Sequence, residues 1–567
     1  MMPETASKPK RPFGRSLTDF ENLSEAEKKL IDCVARGEPC VLGDEVPDTP
    51  TRATAIRPEL IRFLALGGDE SAPVHEKGVQ LQGAYIGAAE KGEKPSELDL
   101  DGCKLSTRVG LLACHFAAPI ILRHAEGLSI ALPGSTFPGF HADGLKLDGD
   151  LSLHRVRSTG TARLLGAEIN GDLMCRDGQF ENAEGEALSC DHAEIGGSVF
   201  LDGSFRAIGE VRFLGSKLDG NLYCNAGRFD NAHGNALSCD GAEIGGDVSL
   251  KAVHATGEVG LLGARIGGNL SCSGGQFKNA DGDALCCQGA EIRGGFVFRS
   301  MPATIGAVSL AHMQVATLVD DLASWPEKAL NLDGFRYERI AASSPLDAKS
   351  RIAWLNRQMP EFVGEWFALQ PWMHLAKVLR EQGHFRDAAE VDIARENWLR
   401  AAGKVSYPWI HWAYGKFAGY GYRPDRVLII AFLVWTVSMA LYAFAAENGG
   451  FAPTSPAIYL KPDFEHCRPD AQEKPENGKR KIGNWTHCPD LPSEYPAFSP
   501  FAFSTDLILP VMHLGQSNFW GPTTTSRKVF SAGNSVQCWM WLEEAFGWVA
   551  ALTLGAIAAG LVKRRDG

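Results

Sequence analysis

The chain has no surplus of positive charge. Its 56 Lys and Arg are outnumbered by 68 Asp and Glu, for a net charge of −12 at pH 7, so the basic face that holds nucleic acid is not expected and no nucleic-acid partner follows. Among its 567 residues there is no C-x-x-C and no H-E-x-x-H. Its glycine-rich strings lack the long following helix of a dinucleotide or phosphate loop. No catalytic, metal or cofactor residue is therefore assigned, and no cofactor is expected. Glycine, at 62 residues, has no period of three and excludes collagen. A hydrophobic share of 45% excludes wholesale disorder. Residues 1–60 contain no apolar core of a signal peptide, so no secretory leader is expected.

Long charge-free apolar runs are also scarce, and both lie near the C-terminus. The run Val427–Ala446 has 20 residues, which at about 1.5 Å each match the ~30 Å hydrocarbon core of a bilayer. The second, Ala545–Val562, is shorter, but Trp539, Met540, Trp541 and Leu542 extend it upstream. Both read as transmembrane helices. Lys416, Arg423 and Arg426 precede the first, and Lys563, Arg564 and Arg565 follow the second, which favours the cytoplasmic side for both flanks. Lys479–Lys481 lie far from either run. Both termini are thus expected in the cytoplasm, with residues 447–544 outside. Eleven of the 14 cysteines precede residue 300, where a cytoplasmic domain keeps them reduced. Cys467 and Cys488 fall in the outer loop, either as a disulfide or as free thiols; Cys538 is the third cysteine there.

What the chain has in abundance is one repeat. The string G-A-E-I-x-G-x-L recurs from Gly166, His192, Gly215, Gly241, Gly263 and Gly289, with weaker echoes from Gly78, Leu98 and Leu145. Cys175, Cys224 and Cys272 align at a longer period, as do Cys190, Cys239 and Cys287. Short alternating runs broken by glycine corners suit the coils of a β-solenoid stacked about 4.8 Å apart. About ten coils over residues 78–318 would rise roughly 50 Å. Alternation points Leu173, Leu222 and Leu270 inward beside the cysteines, which read as core filling. The third position reads Glu168, Glu194, Lys217, Glu243, Arg265 and Glu291. Stacking one coil per unit places opposite charges side by side at Lys217 and Arg265, which stabilises neighbouring strands. The corners at Asn182, Asn231 and Asn279 superficially suggest calcium turns through Asp281 and Asp283, but His233 and Asn235 break the acidic pattern, so turn chemistry explains them.

Helical segments flank the repeats. After a disordered tail (1–22), Ser24 and Glu27 form a capping box opening a helix to about Arg36, and Ile56–Gly67 gives a second short helix. Together (23–77) they are the expected cap for the first coil, whose open edge would otherwise invite aggregation. Beyond the solenoid, residues 319–404 read as helical, with a hairpin over Gln370–Gly403 turning at Gln382–His384. Residues 405–426 interleave Trp409, Trp412, Tyr414, Phe417 and Tyr420 with Lys416 and Arg423, an amphipathic segment suited to the membrane interface. The spans then cover 427–446 and 545–562, and 563–567 is a short tail. Within the loop, a short helix over 504–515 is too short to span. It either rests on the outer leaflet or dips between the spans as a pore loop, where Ser504, Thr505, Asp506, His513 and Gln516 would line an aqueous path between subunits.

The order RPELIRFLALGG, GAEIGG coils, LAKVLREQGH, YGYRP, LILPVMHLGQSNFW and AFGWVAALTLGAIAAGLV resembles a group of uncharacterised bacterial membrane-anchored β-helix, or pentapeptide-like, proteins with two C-terminal transmembrane helices. The likeness spans nearly the whole chain. It implies a bacterial inner-membrane protein. Some of the group are labelled membrane-associated oxidoreductases, and the resemblance brings no catalytic residue with it. The expected fold is mainly β: a β-solenoid with an N-terminal helical cap, a helical hairpin and two transmembrane helices. The expected function is a membrane-tethered interaction or scaffold protein, touching the lipid bilayer and a cytoplasmic protein partner. The alternatives are an oligomeric two-span pore or effector, formed by several copies of the chain, and an oxidoreductase.

Overall fold

A computed structural model describes residues 16–87, 94–302, 305–363, 368–469, 483–523 and 532–560. The first fifteen residues, Lys479–Lys481, Lys563–Arg565 and the side chain of Asp281 lie outside the described residues. The chain divides into two compact units, residues 1–391 and 392–567.

The first unit is a parallel β-solenoid of about 10 turns, and its backbone gives each letter of the repeat a physical reason. Position one turns the corner: Gly166, His192, Gly215, Gly241, Gly263 and Gly289 all have φ between +55° and +67°, the left-handed region that glycine enters without strain. The alanine and isoleucine of positions two and four are buried, as are Leu173, Leu222 and Leu270 at position eight. At position seven sits a short polar side chain whose oxygen accepts a backbone N–H from the next coil. Asp150 accepts from Asp172 at 2.9 Å, Asp172 from Ser198 at 2.7 Å, Asn221 from Asp247 at 2.7 Å, Asp247 from Asn269 at 2.6 Å and Asn269 from Gly295 at 2.7 Å. That row explains the glycine at position six. A Cβ on Gly171, Gly197 or Gly268 would lie 2.2 Å from the Asp oxygen of the coil before.

Coil spacing alternates for a local reason. The longer coils carry 11-residue strands, Gln179–Ser189, Arg228–Ser238 and Gln276–Cys286, and the shorter carry 7-residue strands, Arg206–Arg212 and His254–Gly260. In each long strand the Asn side chain closes an outward kink by donating to the carbonyl four residues on, from Asn182, Asn231 and Asn279 at 2.8–2.9 Å. The expected turns are thus bulges within continuous strands, where the pairing register shifts. The repeated cysteines fill the interior, and burial pushes the Cys239 and Cys114 thiols up to about 12, which suppresses thiolate chemistry.

Two expected boundaries move. Parallel pairing does not stop at Leu318: Gln314 pairs with Arg336 and Leu318 with Ile340, so residues 319–340 belong to the solenoid rather than to the helical region. The N-terminal cap is not wholly helical either. Helices α1 (Glu25–Arg36) and α2 (Pro58–Ala65) are joined by strand segments that pair Cys40 with Leu81 and Ala55 with Tyr85. The Ser24 capping box forms as expected. The buried Glu27 accepts from Arg57 Nε at 2.7 Å and Nη2 at 2.8 Å, tying α1 to the start of α2.

The last coil is closed by side chains. Helix α3 (Ala348–Leu355) contributes Arg351, whose guanidinium makes a two-pronged pair with Asp320 at 2.8 and 2.9 Å, both side chains 2% exposed. Helix α4 (Leu369–Glu381), the first arm of the expected hairpin, lies along the final strand Arg336–Ile340. That strand's free backbone finds partners there: Tyr337 N–H donates to His374 Nε2 at 3.0 Å. Ile340 N–H donates to Gln382 Oε1 at 3.0 Å, and Gln382 Nε2 donates back to Ile340 O at 2.8 Å. The second arm is α5 (Phe385–Ala401).

The second unit contains α6 (Pro408–Ala418), α7 (Pro424–Glu447), α8 (Pro500–Ile508) and α9 (Ala532–Ala558). Helix α6 falls within the segment expected to be amphipathic, 405–426, and leaves Trp409 and Trp412 exposed. Two helices, α7 and residues 534–558 of α9, are long and apolar enough to cross a membrane, and only 17% of each apolar window is buried. The second is a correction: its helix starts at Ala532, 13 residues before the apolar run at Ala545, so Glu543 and Glu544 lie inside it.

Candidate functional site

Helix α8 occupies an earlier stretch than expected, 500–508 instead of 504–515. Ser499 caps it by accepting the Ala502 N–H at 3.3 Å, and Pro500 takes the first position. Pro510 ends it, because proline has no N–H to donate and disfavours helical backbone at Leu509. Ser504, Thr505 and Asp506 therefore fall within the helix rather than at its start. Gly515, expected to stop the helix, instead precedes a four-residue turn of helix at Gln516–Phe519, with φ +83°.

The short helix packs against α7 at that helix's midpoint. Trp435, twelfth of its 24 residues, donates its indole N–H to Thr505 Oγ1 at 3.2 Å. Helix α9 closes the third side. A Cβ on Gly547 would lie 2.4 Å from Ile508 O, so only glycine permits this approach. One turn earlier on the same two helices, Ser504 Oγ donates to Glu543 Oε1 at 2.5 Å. From α7, Tyr442 Oη donates to Glu543 Oε2 at 2.6 Å, and Trp539 donates to Ser438 Oγ at 2.9 Å. Glu543, Ser504, Ser438 and Tyr442 are all buried.

The five residues singled out in the sequence do not form one lining. Ser504 and Thr505 join the buried junction. Asp506 is turned the other way, accepting N–H groups of Leu514, Gly515 at 3.2 Å and Ser517 at 3.1 Å, and so folds its own loop. Gln516 ties the loop to residues before α8, accepting from Ser499 N–H and donating to Ala497 O, both at 3.1 Å. His513 is exposed and apart from the others. Glu543 went unnoticed because it stands just outside the charge-free run. Its signal was spacing, four residues after Trp539 and four before Gly547, hence on their face of the helix.

Beyond this junction, an aromatic core of Tyr442, Phe451, Phe503, Trp485 and Trp520 organises the rest of the unit. Cys467 and Cys488 are joined as a disulfide with Cα atoms 5.5 Å apart. His466 Nε2 lies 3.3 Å from Cys467 Sγ and 3.0 Å from Asp490 Oδ2. That grouping has the elements of a metal set, but its two sulfurs are bonded to each other and offer no thiolates.

On the solenoid, the third-position register is the expected one: Glu194 beside Lys217, Lys217 beside Glu243, Glu243 beside Arg265, Arg265 beside Glu291. It runs further in both directions, through Lys104, Glu126, Lys146 and Glu168 on one side and Gln314 and Arg336 on the other. Lys146–Glu168 at 2.7 Å and Arg265–Glu243 at 2.8 Å are ion pairs along it. The result is an exposed column of mostly alternating charge, interrupted where Glu168 meets Glu194 and at the neutral Gln314. No family model, curated protein or solved structure matches this chain.

Proposed function

We propose that the protein is a membrane-tethered interaction protein whose solenoid offers its charged column to a protein partner in the bacterial cytoplasm. The carrying observation is the column itself: Lys217, Glu243 and Arg265 are each more than half exposed, in a straight parallel register. Extended solenoid faces commonly serve as binding surfaces, and alternating charges give register-specific recognition more than raw affinity. The tether is α7 and α9, whose outer faces carry Leu428, Ile429, Phe432, Leu433, Trp548 and Leu552, each half or more exposed. Lys416 and Arg423 before α7 and Arg426 in its first turn favour the cytoplasmic side for the solenoid.

The test places a photo-crosslinking residue at Lys217 and, separately, at Arg206 on the other sheet, in cells expressing the full chain. A discrete adduct from position 217 that is absent at 206 supports the reading. Adducts at both positions, or at neither, would end it. A second reading, a pore or effector built from several copies, draws support from α8 meeting α7 at its midpoint rather than at an end, the layout of a helix that dips between spans. Cation flux from liposomes containing the full chain is its expected result, and no flux would end it.

A further inference from the structure

The Glu543 carboxyl is 1% exposed, yet among the described residues no basic side chain pairs with it. A carboxylate buried in helices of this kind is expensive and marks a functional position more often than not. What distinguishes this one is the chemistry of its partners. Its carboxyl oxygens meet hydroxyls, Ser504 Oγ at 2.5 Å and Tyr442 Oη at 2.6 Å, with the Ser438 hydroxyl of α7 as a third neighbour. A guanidinium or ammonium would hold the group as an anion, because such groups only donate. Backbone carbonyls would hold it as an acid, because they only accept. A hydroxyl does both, by rotating its hydrogen. When Glu543 is ionised, both hydroxyls donate to it; when it is protonated, its own O–H donates to Ser504 Oγ, whose hydrogen turns to Trp435 O at 3.4 Å. Each state thus gives the carboxyl and the serine hydroxyl a partner.

We propose that Glu543, with Ser504 and Tyr442, forms a reversible proton-binding site at the junction of α7, α8 and α9. The proton is taken from water and returned to it. Tyr442 is the titratable group that faces the site from α7. Asp506 is the charged group of α8, turned to the N–H groups of Gly515 and Ser517. On α9, Glu544 and Cys538 are exposed. Ser504 belongs to α8 and Glu543 to α9, so changing the protonation state reverses a hydrogen bond that joins two helices. The binding event is thereby written into the packing of the junction. This reading stands apart from the scaffold role and does not need it.

Infrared difference spectroscopy of the full chain in lipid nanodiscs tests the site. Acidification should raise a carbonyl stretch of a neutral carboxyl group that is reversible with pH, moves on exchange into D2O, and is lost in Glu543→Gln. Ser504→Ala and Tyr442→Phe should each leave that band present but shift its frequency, a readout that a purely structural serine or tyrosine would not move. They also keep the test alive if the glutamine variant fails to fold. A spectrum with no Glu543-dependent change across the pH range in which the protein stays folded would overturn the proposal. A band that never exchanges in D2O would make Glu543 a locked structural acid and overturn it equally. Stabilisation by sodium in the parent chain, lost in Glu543→Gln, would assign the site to a metal cation instead.

Discussion

The two units partition their side chains in opposite senses. In the solenoid, Leu, Ile, Phe and Cys fill the interior while Lys, Glu and Arg stand outside. Residues 392–567 bury Glu543, Ser504, Ser438 and Asp506 and leave Leu428, Ile429, Phe432, Leu433 and Phe444 uncovered. The first arrangement minimises free energy in water, where apolar area is hidden and charge is solvated. The second minimises it where the surroundings are apolar and every polar group must be satisfied internally. The two patterns suit two different surroundings. The contrast makes a stronger argument for the membrane than helix length does, because a core helix of a soluble protein would be mostly buried, and these are not.

The contrast sharpens first at a place where the solenoid breaks its own rule. Asp320 and Arg351, like Glu27 near the N-terminus, are buried charges in a unit whose charged column stands outside. Asp320 also accepts the Trp325 indole N–H at 2.9 Å. Arg351→Ala strands a carboxylate in the core and should cost about 3–5 kcal/mol, read as a lowered midpoint in denaturant. The double change Arg351→Met with Asp320→Leu should recover much of that, since no unpaired charge remains. An unaffected midpoint in the single variant would show that the last coil is not closed by this pair.

Next in size is a swap of surroundings. Leu433, 56% exposed on α7, and Leu262, 47% exposed on the solenoid, look alike by exposure. Leu433→Arg should oppose membrane insertion by about 2.5–3.5 kcal/mol, and Leu262→Arg should fall within about 0.5 kcal/mol of the parent. Resistance of the membrane fraction to alkaline extraction measures the first, thermal unfolding the second. Equal tolerance of both changes would erase the claimed difference between the units.

Legibility followed the same division. The repeat carried its own register, because positions one, two, four and eight each have a geometric duty that only a few residues perform. The repeat fades over its last two coils, where the duty changes. Position two reads Met313 and Phe335 instead of alanine, both buried, because the interior there is filled with bulk around Trp325 and Trp354. The polar row at position seven was visible only as a habit of Asp, Asn and Ser, since its meaning lies in backbone donors 22–26 residues away. In the second unit, the spans and the disulfide partners were readable locally. The junction was not, because Glu543 meets Tyr442 across 101 residues of sequence and Ser504 across 39.

A milder effect is expected from pH at the closing helix. His374 accepts the Tyr337 N–H, and burial holds its imidazolium form below the ordinary value of 6.5. The folded state therefore binds its proton less readily than the unfolded chain. Stability is full above that ordinary value and is lost as pH falls below it, because the unfolded state takes up the proton first. Melting temperature should fall as pH drops from neutral, and His374→Gln, whose amide oxygen can still accept, should flatten part of that slope. An unchanged slope in the variant would assign the pH dependence to other groups.

The smallest expected effect tests the exposed column against the buried pair. Arg265 lies between Glu243 and Glu291 in adjacent coils, with its guanidinium 2.8 Å from Glu243 and side chains 67% and 55% exposed. Arg265→Glu replaces one attraction by two repulsions and should cost at most about 1 kcal/mol by the cross-strand scale. Solvent screening of exposed charges keeps it near the lower end. Raising the salt concentration should recover part of the loss, because the charges sit in water and within reach of counterions. Arg351→Ala should show no such recovery, since mobile ions cannot enter the core around Asp320. A salt-insensitive loss at Arg265 would mean that the cost comes from packing rather than charge, and the column would then lose its claim to be the surface a partner reads.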